Sequence, residues 1–188
     1  MLLQSRFFLF NILMLPAVAM LSPLVTGAPW RVAIRPTGEA RAVLLIVALA
    51  ISPLKGLFGT TSWTRWLLRQ RRAIGLAAFA YAMVHLAVFA LSIGNLADIV
   101  AGMAWASMWT GWAAFAMLAI MAVISNERAV RAMGRSWKLL QRLGYPAAIL
   151  TLAHWLLLTR AHTEALMWFL PLGLLQLARL ATSLRRDQ

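Results

Sequence analysis

The stretch 71–92, RRAIGLAAFAYAMVHLAVFALS, is apolar and carries two arginines at its head and a single histidine, His85, inside it. A run of about 20 apolar residues crosses the hydrocarbon of a bilayer as one α-helix. An imidazole at that depth is costly alone, so ionisable side chains inside such helices face a cavity, a partner or a cofactor. A second run, 142–159 (RLGYPAAILTLAHWLLLT), places His154 in the same situation. Two such histidines on two helices are the arrangement that holds one haem iron from opposite sides of a flat ring.

Working outward, the whole chain has this character. Its 188 residues are 62% hydrophobic, with a mean hydropathy of +0.77 and no cysteine. That composition indicates a membrane protein whose core lies between helices in lipid. Lack of cysteine excludes disulfides, zinc thiolates, iron–sulfur clusters and covalent c-type haem attachment. The net charge of +13 sits in short segments between apolar runs, and no nucleic-acid motif accompanies it. The charge is read as a topology signal and an attraction to anionic lipid headgroups, not as a nucleic-acid surface.

The expected fold is all-α, a single domain over 1–188 formed by six transmembrane helices at about 7–25, 41–57, 72–92, 108–125, 142–159 and 165–180. The first run has the basic start and small-residue end of a secretory signal. It is longer than a usual signal core and further spans follow, so it reads as a transmembrane helix, bent at Pro16. Arg6, the loop basics Lys55, Arg65, Arg69, Arg71 and Arg72, those at Arg128, Arg131, Arg135, Lys138 and Arg142, and Arg179, Arg185 and Arg186 share one side. The other side has only Arg31, Arg35, Arg41 and Arg160. The asymmetry makes both termini cytoplasmic.

Spans three and five then run parallel. His85 follows Arg72 by 13 residues and His154 follows Arg142 by 12. At 1.5 Å per residue both sit about 20 Å from the cytoplasmic edge. Counting back along each helix from its histidine gives Ala82, Ala78 and Gly75 on one and Thr151, Ala147 and Gly144 on the other. These small residues lie within about 80° of the histidine on an ideal helix. They leave a slot for a porphyrin on the cytoplasmic side of the ligands, or else mark close helix packing. His162 reads as a solvated loop residue, and Trp155 as either a pocket wall or an interfacial residue. No paired intramembrane carboxylates, dinucleotide fingerprint, P-loop or nucleophile–base set is present.

At these residues the chain resembles the haem-binding membrane subunits of periplasmic methionine-sulfoxide reductase systems, within the ferric-reductase-like transmembrane family. The matching stretches are TGEARAVLLIVALAISPL (37–54), RRAIGLAAFAYAMVHL (71–86) and MGRSWKLLQRLGY (133–145), continuing to His154. The resemblance implies a multi-pass b-type cytochrome of the bacterial inner membrane, with His85 and His154 as haem ligands. It implies electrons drawn from the quinone pool or a cytosolic flavin reductase and passed to a periplasmic molybdopterin-containing methionine-sulfoxide reductase subunit. It also implies FMN as a further cofactor. Where the family commonly carries a histidine 13 residues before the last ligand, this chain has Gln141, a poor haem ligand. One haem b is therefore expected, with Arg71 and Arg72 available to propionates, flavin phosphate or lipid.

The function expected is electron transfer across the membrane, with catalysis in the partner. No nicotinamide- or FAD-binding stretch follows the last span, so the donor is expected from elsewhere. A ferric or other metal reductase would use the same haem with another acceptor. A non-redox membrane protein would use the two histidines only to tie helices together.

Overall fold

The computed structural model describes residues 5–158 and 162–186, and these form helices joined by short turns, with no strand among them. The long helices are α1 (Arg6–Val25), α2 (Ile34–Phe58), α3 (Ser62–Ile93), α5 (Ala106–Val123) and α9 (His162–Arg186). Shorter ones are α4 (Leu96–Gly102), α6 (Glu127–Met133), α7 (Arg135–Leu140) and α8 (Gly144–Leu158).

Local chemistry sets several of these boundaries. At the start of α3 the Thr61 hydroxyl accepts from the Thr64 backbone N–H while the Thr64 hydroxyl accepts from the Thr61 N–H, so two otherwise orphaned donors are satisfied. The same helix stops at Gly94, whose φ of +72° closes the last turn in the left-handed conformation that glycine adopts without a Cβ penalty. Asn95 and Asn126 cap α4 and α6 by accepting from backbone N–H groups of the first turn.

Helix α2 begins at Ile34 rather than at 41, and α3 at Ser62 rather than at 72. The extra turns of α2 contain Thr37 and Glu39, polar residues that depress hydropathy. Thr37 is nonetheless fully buried, its hydroxyl donating to the Ala33 carbonyl at 2.6 Å. The expected connections 93–107 and 126–142 contain α4, α6 and α7.

Helices α2 and α3 form a hairpin around the turn at 59–61, and α5 packs along α8. A core of Leu45, Leu49, Ala78, Leu118, Ala147 and Phe169 joins α2, α3, α5, α8 and α9. The outer faces are apolar too. Phe7, Leu15 and Val18 on α1 and Met167, Leu170, Leu174 and Leu177 on α9 are exposed. Such a surface is stable against lipid tails and costly in water.

Among the described residues five helices are long and apolar enough to cross a bilayer: Arg6–Val25, Trp30–Phe58, Ser62–Ile93, Ala106–Val123 and His162–Thr182. The chain is thus a multi-pass membrane protein. The fifth expected span appears as the 15-residue α8, which follows directly on the 3-10 turn Gln141–Leu143. Its expected end at Thr159, and Arg160, lie outside the described residues.

Candidate functional site: a paired-imidazole cavity

His85 projects from α3 and His154 from α8, and their ring centroids lie 6.4 Å apart with the planes at 89°. An iron bonded at about 2 Å to one nitrogen of each ring sets the ring centres about 6 Å apart. The separation therefore has room for one metal ion between the two rings.

Each ring is held from behind in the same way. His85 Nδ1 lies 2.9 Å from the Ile34 carbonyl oxygen, in the first turn of α2. His154 Nδ1 lies 2.5 Å from the Ser107 carbonyl oxygen, in the first turn of α5. A carbonyl only accepts, so both Nδ1 atoms carry the proton and donate it. The lone pair of each neutral ring is then on Nε2, the nitrogen left for a metal. A backbone carbonyl on the far nitrogen is the usual support of a metal-ligating histidine, fixing tautomer and ring orientation together.

The position four residues after each accepting carbonyl is a glycine. A Cβ on Gly38 would stand 2.9 Å from His85 Cε1, and one on Gly111 would stand 2.6 Å from His154 Cε1. No real side chain tolerates such contacts with a ring held in place, so each imidazole lies against bare backbone. A threonine precedes each glycine. Thr37 donates to the Ala33 carbonyl at 2.6 Å, and Thr110 donates to the Ala106 carbonyl at 2.8 Å. The α2–α3 and α5–α8 pairs thus carry matching cradles: Thr37-Gly38 for His85 and Thr110-Gly111 for His154. Sequence reasoning passed over this recurrence. Its signal was the recurring Thr-Gly dipeptide, at unequal distances from the two histidines.

Both rings line a cavity of about 260 Å³ enclosed by residues of α2, α3, α5 and α8. Its walls are apolar and aromatic, with Leu86, Phe89, Trp112 and Phe115 among them. Among the described residues one charge lines it, Arg41 of α2, whose residue surface is only 5% exposed and whose Nε has no hydrogen-bond partner.

The small-residue faces are placed differently from expectation. Of the six positions only Ala82 lines this cavity. Ala78 and Ala147 belong to the packed core, Thr151 is fully buried, and a Cβ at Gly144 would meet Leu49 Cδ2 at 3.1 Å. Leu49 of α2 closes the slot at Gly144, and Ala78, Ala147 and Thr151 serve helix packing, whereas a Cβ at Gly75 would meet nothing within 4 Å; the cavity lined by the histidines lies elsewhere.

The remaining candidates fall outside the cavity. Trp155 is buried in the core with Phe169 and Leu172. His162 is exposed at the start of α9. Gln141 Nε2 lies 3.4 Å from both the Met121 carbonyl oxygen and Ser125 Oγ, tying the 3-10 turn to the end of α5. Arg71 donates to Ser52 Oγ at 3.1 Å, and Arg72 borders a surface recess with Asn126, Glu127, Arg128 and Arg131. Among the described residues no cluster of three or more His, Cys, Asp or Glu side chains could hold a metal ion. Two imidazoles supply only two of six coordination positions, which suits an iron already held by a macrocycle.

Residues 37–152 match the family model described as ferric reductase like transmembrane component. The chain is 35% identical over 164 residues to the protein-methionine-sulfoxide reductase heme-binding subunit MsrQ of Rhodospirillum rubrum, covering 81% of this chain and 74% of that one. It is 32% identical over 185 residues to the protein of the same name from Deinococcus radiodurans, covering 93% and 89%. No solved structure gives a significant match. The matched region runs from the Thr37-Gly38 cradle to the turn before His154, and the chain belongs to the ferric reductase like transmembrane family, together with the MsrQ proteins.

Proposed function

We propose that the protein is a membrane electron carrier in which His85 and His154 hold one haem b between α3 and α8. The observation that carries this reading is the pair of imidazoles at 6.4 Å, each with Nδ1 committed to a backbone carbonyl and Nε2 left as a ligand. Haem bound there supplies a one-electron couple at iron. The chain's own residues do the rest. Ile34 and Ser107 fix the tautomers, Gly38 and Gly111 let the rings lie against the backbone, and Phe89, Trp112 and Phe115 exclude water.

In this reading α1, α2, α3, α5, α8 and α9 are six crossings of the bacterial inner membrane with both termini cytoplasmic. The histidines lie in the outer half, so electrons leave toward the periplasm. The acceptor is a methionine-sulfoxide reductase catalytic subunit, consistent with the names of the relatives. Its molybdopterin, a quinol or flavin-reductase donor, and an FMN site follow from the family resemblance.

A non-redox reading rests on the same hydrogen bonds, since His85 ties α3 to α2 and His154 ties α8 to α5 with or without iron. An optical spectrum of detergent-purified protein, oxidised and dithionite-reduced, with a pyridine haemochrome assay, separates the two. A b-type spectrum near one haem per chain is expected. No Soret band after expression with ample haem would leave only the structural role. With haem bound, an acceptor assay against ferric chelates and against the periplasmic reductase distinguishes a metal reductase from a repair-system carrier.

A further inference from the structure

Arg41 is a guanidinium inside a membrane bundle, and a charge there is expensive unless something answers it. Its residue surface is 5% exposed, and its Nε makes no hydrogen bond. Glu39, two residues before it on α2, and Glu164 both pair with Arg35 instead. No ion pair among the described residues reaches Arg41. It lines the cavity that holds the two imidazoles, together with Ile34 of the first turn of α2 and Met108 of the first turn of α5. Among the described residues the wall is otherwise apolar apart from the two histidines, so an anion bound there would sit in low dielectric, where a charge-assisted hydrogen bond is strong.

We propose that Arg41 is the anion-binding residue of the paired-histidine cavity and receives a carboxylate of the bound tetrapyrrole, orienting the ring between His85 and His154. This rests on the haem reading of the site. It assigns the carboxylate to Arg41 in the bundle interior and leaves Arg71 and Arg72 to the surface. Arg41 acts as a positioning residue. Its positive charge also favours the reduced, more negative form of the bound group.

The test compares haemin with haemin dimethyl ester, which keeps the iron and the macrocycle but lacks both carboxylates. Full-length protein produced without haem is titrated with each. Wild type should prefer haemin by about 10- to 100-fold, the range of one charge-assisted hydrogen bond. Arg41→Met should bind both compounds alike and lower the midpoint potential of the haemin complex. Arg41→Lys should keep part of the preference, and Arg72→Gln should keep all of it. Equal affinity of wild type for the two compounds overturns the proposal, as does a preference that persists in Arg41→Met or vanishes in Arg72→Gln. In each of those cases the bis-histidine spectrum remains, so the haem reading survives. Wild type that binds neither compound overturns both. If Arg41→Met does not fold, the wild-type, Arg41→Lys and Arg72→Gln comparisons still decide.

Discussion

Gly111 lies beneath the His154 imidazole so closely that a Cβ at that position would stand 2.6 Å from Cε1 and 2.7 Å from Nδ1. The ring is held there by its 2.5 Å contact to the Ser107 carbonyl one helical turn earlier. Gly111→Ala therefore forces the ring off its acceptor. Overpacking of this kind costs about 1–3 kcal/mol, while alanine improves α5 itself by about 1 kcal/mol. The expected result is a helical, monodisperse protein that retains haem about 5- to 100-fold less well. Gly38→Ala, with its nearest approach at 2.9 Å, should show a weaker version. Wild-type haem retention in both variants would show that the cradles do not position the ligands.

If His85 and His154 hold the haem, removing either imidazole would leave its iron short of a ligand. His85→Ala and His154→Ala should each lose the low-spin b-type spectrum, whereas Gln141→Ala should keep it. Gln141 lies beside Met121 and Ser125 and reaches neither histidine ring. Haem content per chain, measured by pyridine haemochrome, checks all three. Loss in Gln141→Ala comparable to the histidine variants would require a second site.

The imidazole planes stand at 89°, each set by its own helix pair. Perpendicular planes interact with different iron π orbitals and leave the two nearly equal in energy. The ferric protein should therefore give the strongly anisotropic, single large-g electron paramagnetic resonance signal of perpendicular bis-histidine haem, not a resolved rhombic one. A rhombic signal in wild type would mean that the rings turn when haem enters.

Topology can be read with single cysteines, because the native chain has none. Trp105, exposed just before α5, and Arg131, exposed in α6, lie in connections of opposite charge character. In intact spheroplasts a membrane-impermeant maleimide should label Trp105→Cys and reach Arg131→Cys only after lysis. The reverse pattern would invert the proposed orientation and place the haem nearer the cytoplasm.

Arg35 pairs with Glu39 within α2 and with Glu164 across to α9, yet its side chain is 62% exposed. Exposed pairs contribute about 0–1 kcal/mol. Glu164→Gln should lower the unfolding midpoint by no more than a few degrees and leave haem content unchanged. A collapse of haem binding would mean that this contact holds the cavity closed.

Much of this arrangement was legible in the residues alone. Runs of apolar sequence specify helices because every backbone group in lipid must be paired within its own segment. A constant rise per residue places His85 and His154 at one depth by counting from charged edges. Tertiary structure decided what depends on how those helices are rotated and packed. It put the open space beside Arg41, Phe89 and Trp112 instead of over Ala78 and Ala147, buried Thr37 and Arg41 inside the bundle, and set Gly38 and Gly111 against the two rings. Depth is a property of one helix and accumulates along its sequence. A cavity, a glycine cradle or an unanswered guanidinium exists only between helices, where residues far apart in the chain come within a few ångströms.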